Sequence, residues 1–265
     1  MQLNQKKFQL LQYGKKVNLK KPYTTGELPI KNEDTIKDLG VFLSDDLGCG
    51  AQISEAVKSG RKFMWWILRS FESRKAEVLL FLYRSYVLPK LEYASILWSP
   101  YQKKDIVKLE GIQRTLTSKI ENLQQYNYHQ RLHILKLYSL QRRRERYAAL
   151  YMYKLYAGLV PNNLQMEFYT NRRGHIKCRQ PKICTSGTTH LSTVRHNFFT
   201  STGPQIFNHL PQKVKEADSL DSFKHQLDKF LMSIPDMPST PGYPSINKII
   251  ILSWNGRLVA ITMQT

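Results

Sequence analysis

From Gly50 onward, apolar residues recur every three or four positions, which is the period of an amphipathic helix. Basic residues of the first such segment, Lys58, Arg61, Lys62 and Arg69, fall mostly outside the apolar stripe. This pattern predicts a long helix with one buried face, formed by Ile53, Ala56, Val57, Gly60, Met64, Ile67, Leu68 and Phe71.

Three more helices follow from the same period. The second starts near Ser73 and should kink or break at Pro89, because proline removes a backbone hydrogen bond. Serine before proline is a helix-start signal, so the third helix should begin at Ser99 and Pro100. It would bury Ile106, Leu109, Ile112, Gln113, Leu116 and Ile120, and a fourth helix should run from about Ser139 to Gly158.

The flanking regions have a different pattern. Residues 1–48 alternate as short strands, one in Lys7–Tyr13 and one with Leu39, Val41 and Leu43 on one face. Residues 171–211 are rich in turn formers, and Ile176, Cys178, Val194, Phe198, Phe199 and Phe207 indicate short strands there. A helix is predicted over Asp218–Met232, followed by four prolines in residues 234–244 and an apolar tail.

The predicted fold is therefore α+β and mainly α. It would consist of a small N-terminal antiparallel β element over residues 1–48 and a helical bundle over 49–165. A small α+β region, with basic strands and loops plus a helix, would cover 166–233, and a proline-rich linker with an atypical tail would cover 234–265.

Composition restricts the class of partner. Lys and Arg number 40 against 20 Asp and Glu, a formal net charge of +20, which favours a polyanion. Three cysteines are too few for a disulfide framework, and no apolar run reaches the length of a membrane span. We therefore predict an intracellular protein of the nucleus or cytoplasm without a membrane partner.

Several long motifs resemble the reverse transcriptases of jockey-like non-LTR (LINE-type) retrotransposons. The most specific is Val87–Pro100 (VLPKLEYASILWSP), which resembles the segment just past the polymerase core. Others, in the family's order, are Leu3–Phe8 (LNQKKF), Ile36–Val41 (IKDLGV), Leu109–Arg114 (LEGIQR), Leu137–Tyr147 (LYSLQRRRERY) and Gly203–Asn208 (GPQIFN). The resemblance covers residues 1 to about 238 and implies the end of a palm with a primer-grip-like hairpin, a thumb and a C-terminal region.

The catalytic motifs of that family are missing from this chain. The family holds two metal ions, about 3.5–4 Å apart, with an early palm Asp and a Phe/Tyr-Ala-Asp-Asp turn. Only Asp45 and Asp46 resemble the second motif, and their aromatic neighbour Phe42 is one residue too far away. We expect this acidic pair to cap the first helix rather than to bind metal. The resemblance thus implies Mg²⁺ for the full-length enzyme, but no catalytic residue, cofactor or polymerase activity for this chain alone.

Candidate nucleic-acid contacts come from three places. Lys58, Arg61 and Lys62 lie outside the apolar stripe of the first helix, and Arg142, Arg146 and Tyr153 share a face of the fourth. For each arginine, a solvated basic face is the alternative. Leu39 and Gly40 are candidates by resemblance, since a glycine would let a primer backbone approach closely; an ordinary bend is the alternative.

Aromatic and buried charged residues of the helices allow further predictions. Trp65, Trp66 and Trp98 either stack on bases or belong to the core, and we favour the core for Trp98. Arg144 falls inside the apolar stripe of the fourth helix and should have a carboxylate partner, for which Glu92 is a candidate.

Residues 175–190 contain a candidate set of zinc ligands. His175, Cys178, Cys184 and His190 supply suitable ligand types, but their spacing fits no zinc finger or knuckle. We therefore predict no zinc here, with a core cysteine and exposed histidines as the simpler interpretation.

Two function classes remain open. The first is a nucleic-acid-binding fragment of an RNA-directed DNA polymerase, with RNA and DNA (a template-primer or element RNA) as partners and the missing upstream palm and fingers as a protein partner. The second is a helical protein-interaction module, or an adapted relic of the element, without a nucleic-acid role. Salt dependence separates them, because binding through phosphates weakens steeply with salt.

Overall fold

In the computed structural model, residues 8–13, 23–25, 28–179, 196–238 and 240–241 are described. Over this part the chain is α+β and mainly helical, which confirms the predicted fold class. The strands form antiparallel pairs: β1 (Thr24–Thr25) with β2 (Leu28–Pro29), β3 (Thr35–Asp38) with β4 (Val41–Ser44), and β5 (Glu167–Thr170) with β6 (Ile176–Arg179).

Strands β3 and β4 form a hairpin with a two-residue turn. Asp38 pairs with Val41, so Leu39 and Gly40 are the turn residues. The prediction of one strand with Leu39, Val41 and Leu43 on a common face is therefore wrong: Leu39 is exposed, while Val41 is buried. In the predicted strand Lys7–Tyr13, Leu10 makes an isolated bridge to Asn32, and Lys7 lies outside the described residues.

Helix α1 (Gly50–Ser70) has the predicted buried stripe from Ile53 to Leu68, but Phe71, predicted as its last member, lies just past the helix and is exposed. The stripe packs against β4 and the helices that follow. Asp45 and Asp46 do not cap this helix, contrary to expectation. The residue before α1 is Cys49, which makes no side-chain cap, and the Asp46 carboxylate instead accepts a hydrogen bond of 2.7 Å from the backbone N–H of Gly48.

The second helical region changes its winding just before Pro89. Helix α2 (Ala76–Leu82) continues into a π-helical turn (Tyr83–Val87), and α3 (Leu88–Glu92) follows. The Leu88 N–H donates to the carbonyl of Tyr83, five residues back, before Pro89 enters the first turn of α3. The chain therefore stays helical through Pro89, and in place of the predicted kink or break the structure shows a change of winding, whose wider turn accommodates the missing N–H donor.

Helix α4 (Lys103–Thr117) begins later than predicted, with Gln102 rather than Ser99 as its N-cap. Trp98 is buried, as predicted, and its indole N–H donates to the carbonyl of Tyr93 at 2.8 Å. The buried and hydrogen-bonded Trp98 holds the residues before Ser99 in a turn. Helix α4 therefore begins only after the chain has left the hydrophobic core. Helix α5 (Tyr128–Ile134) follows, with a capping box formed by Asn127 and Gln130.

Helix α6 (Leu140–Tyr156) matches its prediction closely. The Ser139 hydroxyl accepts from the Arg142 N–H at 3.0 Å, and Gly158 has a φ of 69° just past the C-terminus. Its first turn packs in the core of α1–α4, and its second half packs in a separate core. The two hydrophobic clusters therefore share one helix, and the proposed boundary at residue 165 stays a prediction.

The second core is completed by α7 (Phe199–His209), α8 (Gln212–Lys215) and α9 (Leu220–Met232). Strand β6 and helix α9 confirm two predictions, whereas the strands predicted at Phe198, Phe199 and Phe207 are wrong; Val194 lies outside the described residues. Packing explains α7, despite its glycine and proline. A Cβ on Gly203 would lie 2.9 Å from the sulfur of Met152, so this glycine lets α7 approach α6 closely.

Candidate nucleic-acid interface

One face of α1 is exposed, basic and aromatic. The three basic residues predicted there, Lys58, Arg61 and Lys62, are all exposed. Trp65 and Trp66, 49% and 47% exposed, follow at helical spacing on the same side, with Arg69 one turn later. We call this set the α1 face: Lys58, Arg61, Lys62, Trp65, Trp66 and Arg69.

The charge of the α1 face is not neutralised locally. Helix α1 carries four basic residues, all in this face, and one acidic residue, Glu55. Within the described part of the chain, Lys58, Arg61, Lys62 and Arg69 make no ion pair. The face can therefore offer its cations to phosphates without first breaking a salt bridge.

The indole of Trp66 is held by its neighbours. It makes edge-on contacts with Phe71 (ring centroids 6.2 Å apart) and with Tyr86 of the π-helical turn (5.7 Å). Such contacts fix a ring while leaving part of its surface open to solvent. From the sequence alone, Trp65 and Trp66 could belong to the core or stack on bases. The signal for an exposed position is that each lies four residues after a basic residue, Arg61 and Lys62 respectively.

The hairpin turn presents Leu39 but not an open backbone at Gly40. Leu39 is 84% exposed, and its φ of 45° is unusual for a leucine. The Tyr93 hydroxyl donates to the Leu39 carbonyl at 2.8 Å. A Cβ on Gly40 would lie 3.4 Å from the Tyr93 ring, an ordinary contact distance, so this ring lies beside the glycine. The φ of 85° at Gly40 is sufficient to explain why a glycine occupies this turn position. A nucleic-acid contact at the turn stays a prediction.

The structure contradicts the predicted binding face of α6, because helix α9 and the residues that follow α9 cover that face. Arg142 is fully buried, and its guanidinium donates to the carbonyls of Leu231, Ile234 and Pro235. Arg142 therefore cannot reach a phosphate. Arginine and tyrosine have long apolar stems that pack well when a partner satisfies their polar ends, and the local sequence of α6 does not reveal that partner.

Tyr153 and Arg146 are engaged by the same neighbour. The Tyr153 ring stacks on Phe223 of α9 with centroids 4.1 Å apart, and its hydroxyl donates to the Ala217 carbonyl at 2.6 Å. Arg146 donates to both carboxylate oxygens of Asp228, at 2.6 and 2.8 Å. Tyr153 is thus unavailable for stacking on a base, and Arg146 is half-buried with a carboxylate partner.

Glu92 pairs with Arg143 and not, as predicted, with Arg144. Both carboxylate oxygens of Glu92 accept from the Arg143 guanidinium. Arg144 is buried as expected, but it donates to the carbonyls of Leu140 (3.0 Å) and Leu91 (3.3 Å) and lies 5.4 Å from the Trp98 ring. The Arg144 guanidinium thus contacts two backbone carbonyls and the face of an aromatic ring, where a carboxylate was expected.

The candidate zinc ligands are only partly described. Cys178 is buried in β6, and burial raises the pKa of its thiol to about 12, which disfavours the thiolate that metals bind. His175 is exposed, whereas Cys184 and His190 lie outside the described residues. Among the residues described, no group of three or more His, Cys, Asp or Glu side chains is arranged to hold a metal ion.

Comparisons with known proteins add no family assignment. No family model, curated protein or solved structure matches this chain. In the described part of the chain, no helix combines the length and apolar character needed to cross a membrane.

Proposed function

We propose that this chain is a nucleic-acid-binding fragment of a non-LTR retrotransposon reverse transcriptase, which binds template-primer or element RNA through the α1 face. The observation that carries the proposal is the juxtaposition, on one helix, of two half-exposed indoles with four cations that make no ion pair among the described residues. Cations can follow a phosphate backbone, while indoles stack on bases whatever their sequence.

A single-stranded segment fits this surface better than a duplex does. Stacking requires an accessible base face, and the bases of a duplex are already stacked on each other. The proposed role is binding without chemistry, because the metal-binding carboxylates of polymerases have no counterpart in the chain's motifs. The formal charge of +20 supports a polyanionic partner beyond this one helix.

The test measures binding of a labelled single-stranded RNA by fluorescence anisotropy at several salt concentrations. K58A/R61A/K62A should weaken binding and reduce the slope of log K against log salt by about 2, since each lost phosphate contact on a single strand removes about 0.7. W65A/W66A should weaken binding by about 1–3 kcal/mol per lost base stack and leave that slope unchanged.

The matched control is R172A/R173A/K213A, which removes the same charge from exposed positions outside the α1 face. It should reduce the affinity less than K58A/R61A/K62A does. Equal losses in both triple variants would contradict a defined site. A flat salt response of the unmodified protein would overturn the proposal and favour the protein-interaction alternative.

A further inference from the structure

A cavity of about 330 Å³ opens between the π-helical turn, the loop before α6, α6 itself and α9. It is separate from the α1 face, none of whose residues line it. Its walls are mainly basic and aromatic, with one acidic residue, Asp228; the basic and aromatic residues include Arg84, Lys136, Tyr138, Arg143, Arg146 and Tyr147. A cavity of this size matches small-ligand sites, which usually exceed about 300 Å³.

Two guanidiniums in the wall are positioned by carboxylates. Arg143 is held by Glu92, and Arg146 by Asp228, in each case through the Nε and Nη2 atoms. Within the described residues the Nη1 atom of each has no hydrogen-bond partner, so it remains a free donor. Because the carboxylates offset their charge, these two guanidiniums contribute oriented N–H donors rather than net positive charge.

The rim adds two cations that have no carboxylate partner in the described part of the chain. Arg84 lies in the π-helical turn and Lys136 in the loop before α6, and both are exposed. Lys136 has a φ of 49°, which is costly for a lysine. A π-helical turn and a strained residue at one cavity are both features that concentrate at functional sites.

The remaining wall can accommodate a planar group. Leu88 and Met232 contribute apolar surface, and the Tyr147 hydroxyl is bound to Glu92 at 2.9 Å, which orients its ring. The Tyr138 hydroxyl donates to the carbonyl of Asp228 at 3.3 Å and to its carboxylate at 3.4 Å, which orients this second ring. The cavity thus joins anion donors to an apolar and aromatic surface, the two requirements of a nucleotide site.

We propose that this cavity binds a nucleoside monophosphate unit, with the phosphate between Arg84 and Lys136 and the base against Tyr147 and Met232. The unit is either a free mononucleotide or the phosphorylated end of a strand. The inference does not depend on the α1 face, and its test separates the two sites.

Isothermal titration of the full chain with AMP and UMP tests the site. Both should bind, and inorganic phosphate and adenosine should each bind more weakly. R84A/K136A should weaken mononucleotide binding by about tenfold or more, because hydrogen bonds to charged groups contribute that much. R172A/R173A removes the same charge from exposed positions outside the cavity and should leave mononucleotide binding unchanged, as should K58A/R61A/K62A.

M232W keeps every charge but fills the cavity from a position that is 72% exposed. It should weaken binding as well, whereas general attraction to a basic protein would be unaffected. A 5′-phosphorylated oligonucleotide that displaces AMP identifies a strand end as the ligand, and displacement by mononucleotides alone identifies a free nucleotide. Absent binding of AMP and UMP, or equal effects of R84A/K136A and R172A/R173A, would overturn the proposal.

Discussion

The phenol of Tyr93 donates a 2.8 Å hydrogen bond to the carbonyl of Leu39, which links the tip of the β3–β4 hairpin to the end of α3. This bond crosses a sequence separation of 54 residues and holds a turn in which both residues have positive φ. Glycine suits such a turn, but leucine does not. An exposed leucine in the left-handed region costs conformational free energy, and this conformation persists because the surrounding tertiary structure holds it.

We therefore expect L39N to stabilise the fold. Asparagine adopts the left-handed region readily, so the free energy of unfolding should rise by about 0.5–1 kcal/mol. Urea unfolding followed by circular dichroism measures this change. If Leu39 also contacts nucleic acid, the same variant will bind RNA more weakly while being more stable. A loss of stability in L39N would show that the leucine side chain itself supports the turn.

Arg142 should behave as a structural residue and not as a phosphate ligand. R142M would leave the carbonyls of Leu231 and Pro235 without their donor, and it would remove the guanidinium that lies 4.0 and 3.8 Å from the carboxylates of Glu145 and Asp236. The free energy of unfolding should fall by about 3 kcal/mol or more. The salt slope of RNA binding by the folded protein should not change, in contrast to K58A/R61A/K62A. A stable R142M that loses RNA binding would restore the interpretation of α6 as a binding face.

Helix α1 packs closely against α3 and α4 at Gly60. A Cβ there would lie 2.7 Å from Leu91 and 3.0 Å from Ile112. G60A should therefore destabilise the fold by about 1–3 kcal/mol, although alanine favours helix. The matched control is G111A in α4, where a Cβ would meet no atom within 4 Å and stability should rise by about 0.5–1 kcal/mol. Equal effects of the two variants in chemical denaturation would contradict this close contact.

Local signals explain which elements were predictable. Helices α1 and α6 followed from an apolar stripe and, for α6, from Ser139 and Gly158, because caps and periodicity depend on neighbouring residues. The second buried face of α6 could not be predicted from local sequence. The residues that cover it, such as Asp228 and Pro235, lie in and just after α9, far along the chain. For the same reason, the basic residues of α1 were located correctly, whereas those of α6 were not.

The stability of the fold should depend on pH through Glu110. Burial raises the pKa of this carboxyl to about 7, and hydrogen bonds from Tyr128 (2.6 Å) and the Gln141 N–H (2.8 Å) oppose the rise only in part. Its pKa in the unfolded chain is about 4.3, so between these values the folded state binds the extra proton. Stability must then fall as the pH rises from about 4.3 to about 7, by as much as about 3 kcal/mol.

The E110Q variant tests this sign. Glutamine keeps the shape without ionising: its Oε1 can accept from the Gln141 N–H, and its Nε2 can donate to the oxygen of the Tyr128 hydroxyl. The gap between E110Q and the unmodified protein should therefore widen in favour of E110Q as the pH rises through this window. Burial raises the pKa of Glu145 to about 8 and adds the same trend, while His129, whose pKa burial lowers, opposes it. Both contributions cancel in the difference between the two proteins. Thermal unfolding at pH 4.5 and pH 7.5 gives that difference, and a gap that stays constant would show that Glu110 does not titrate in this range.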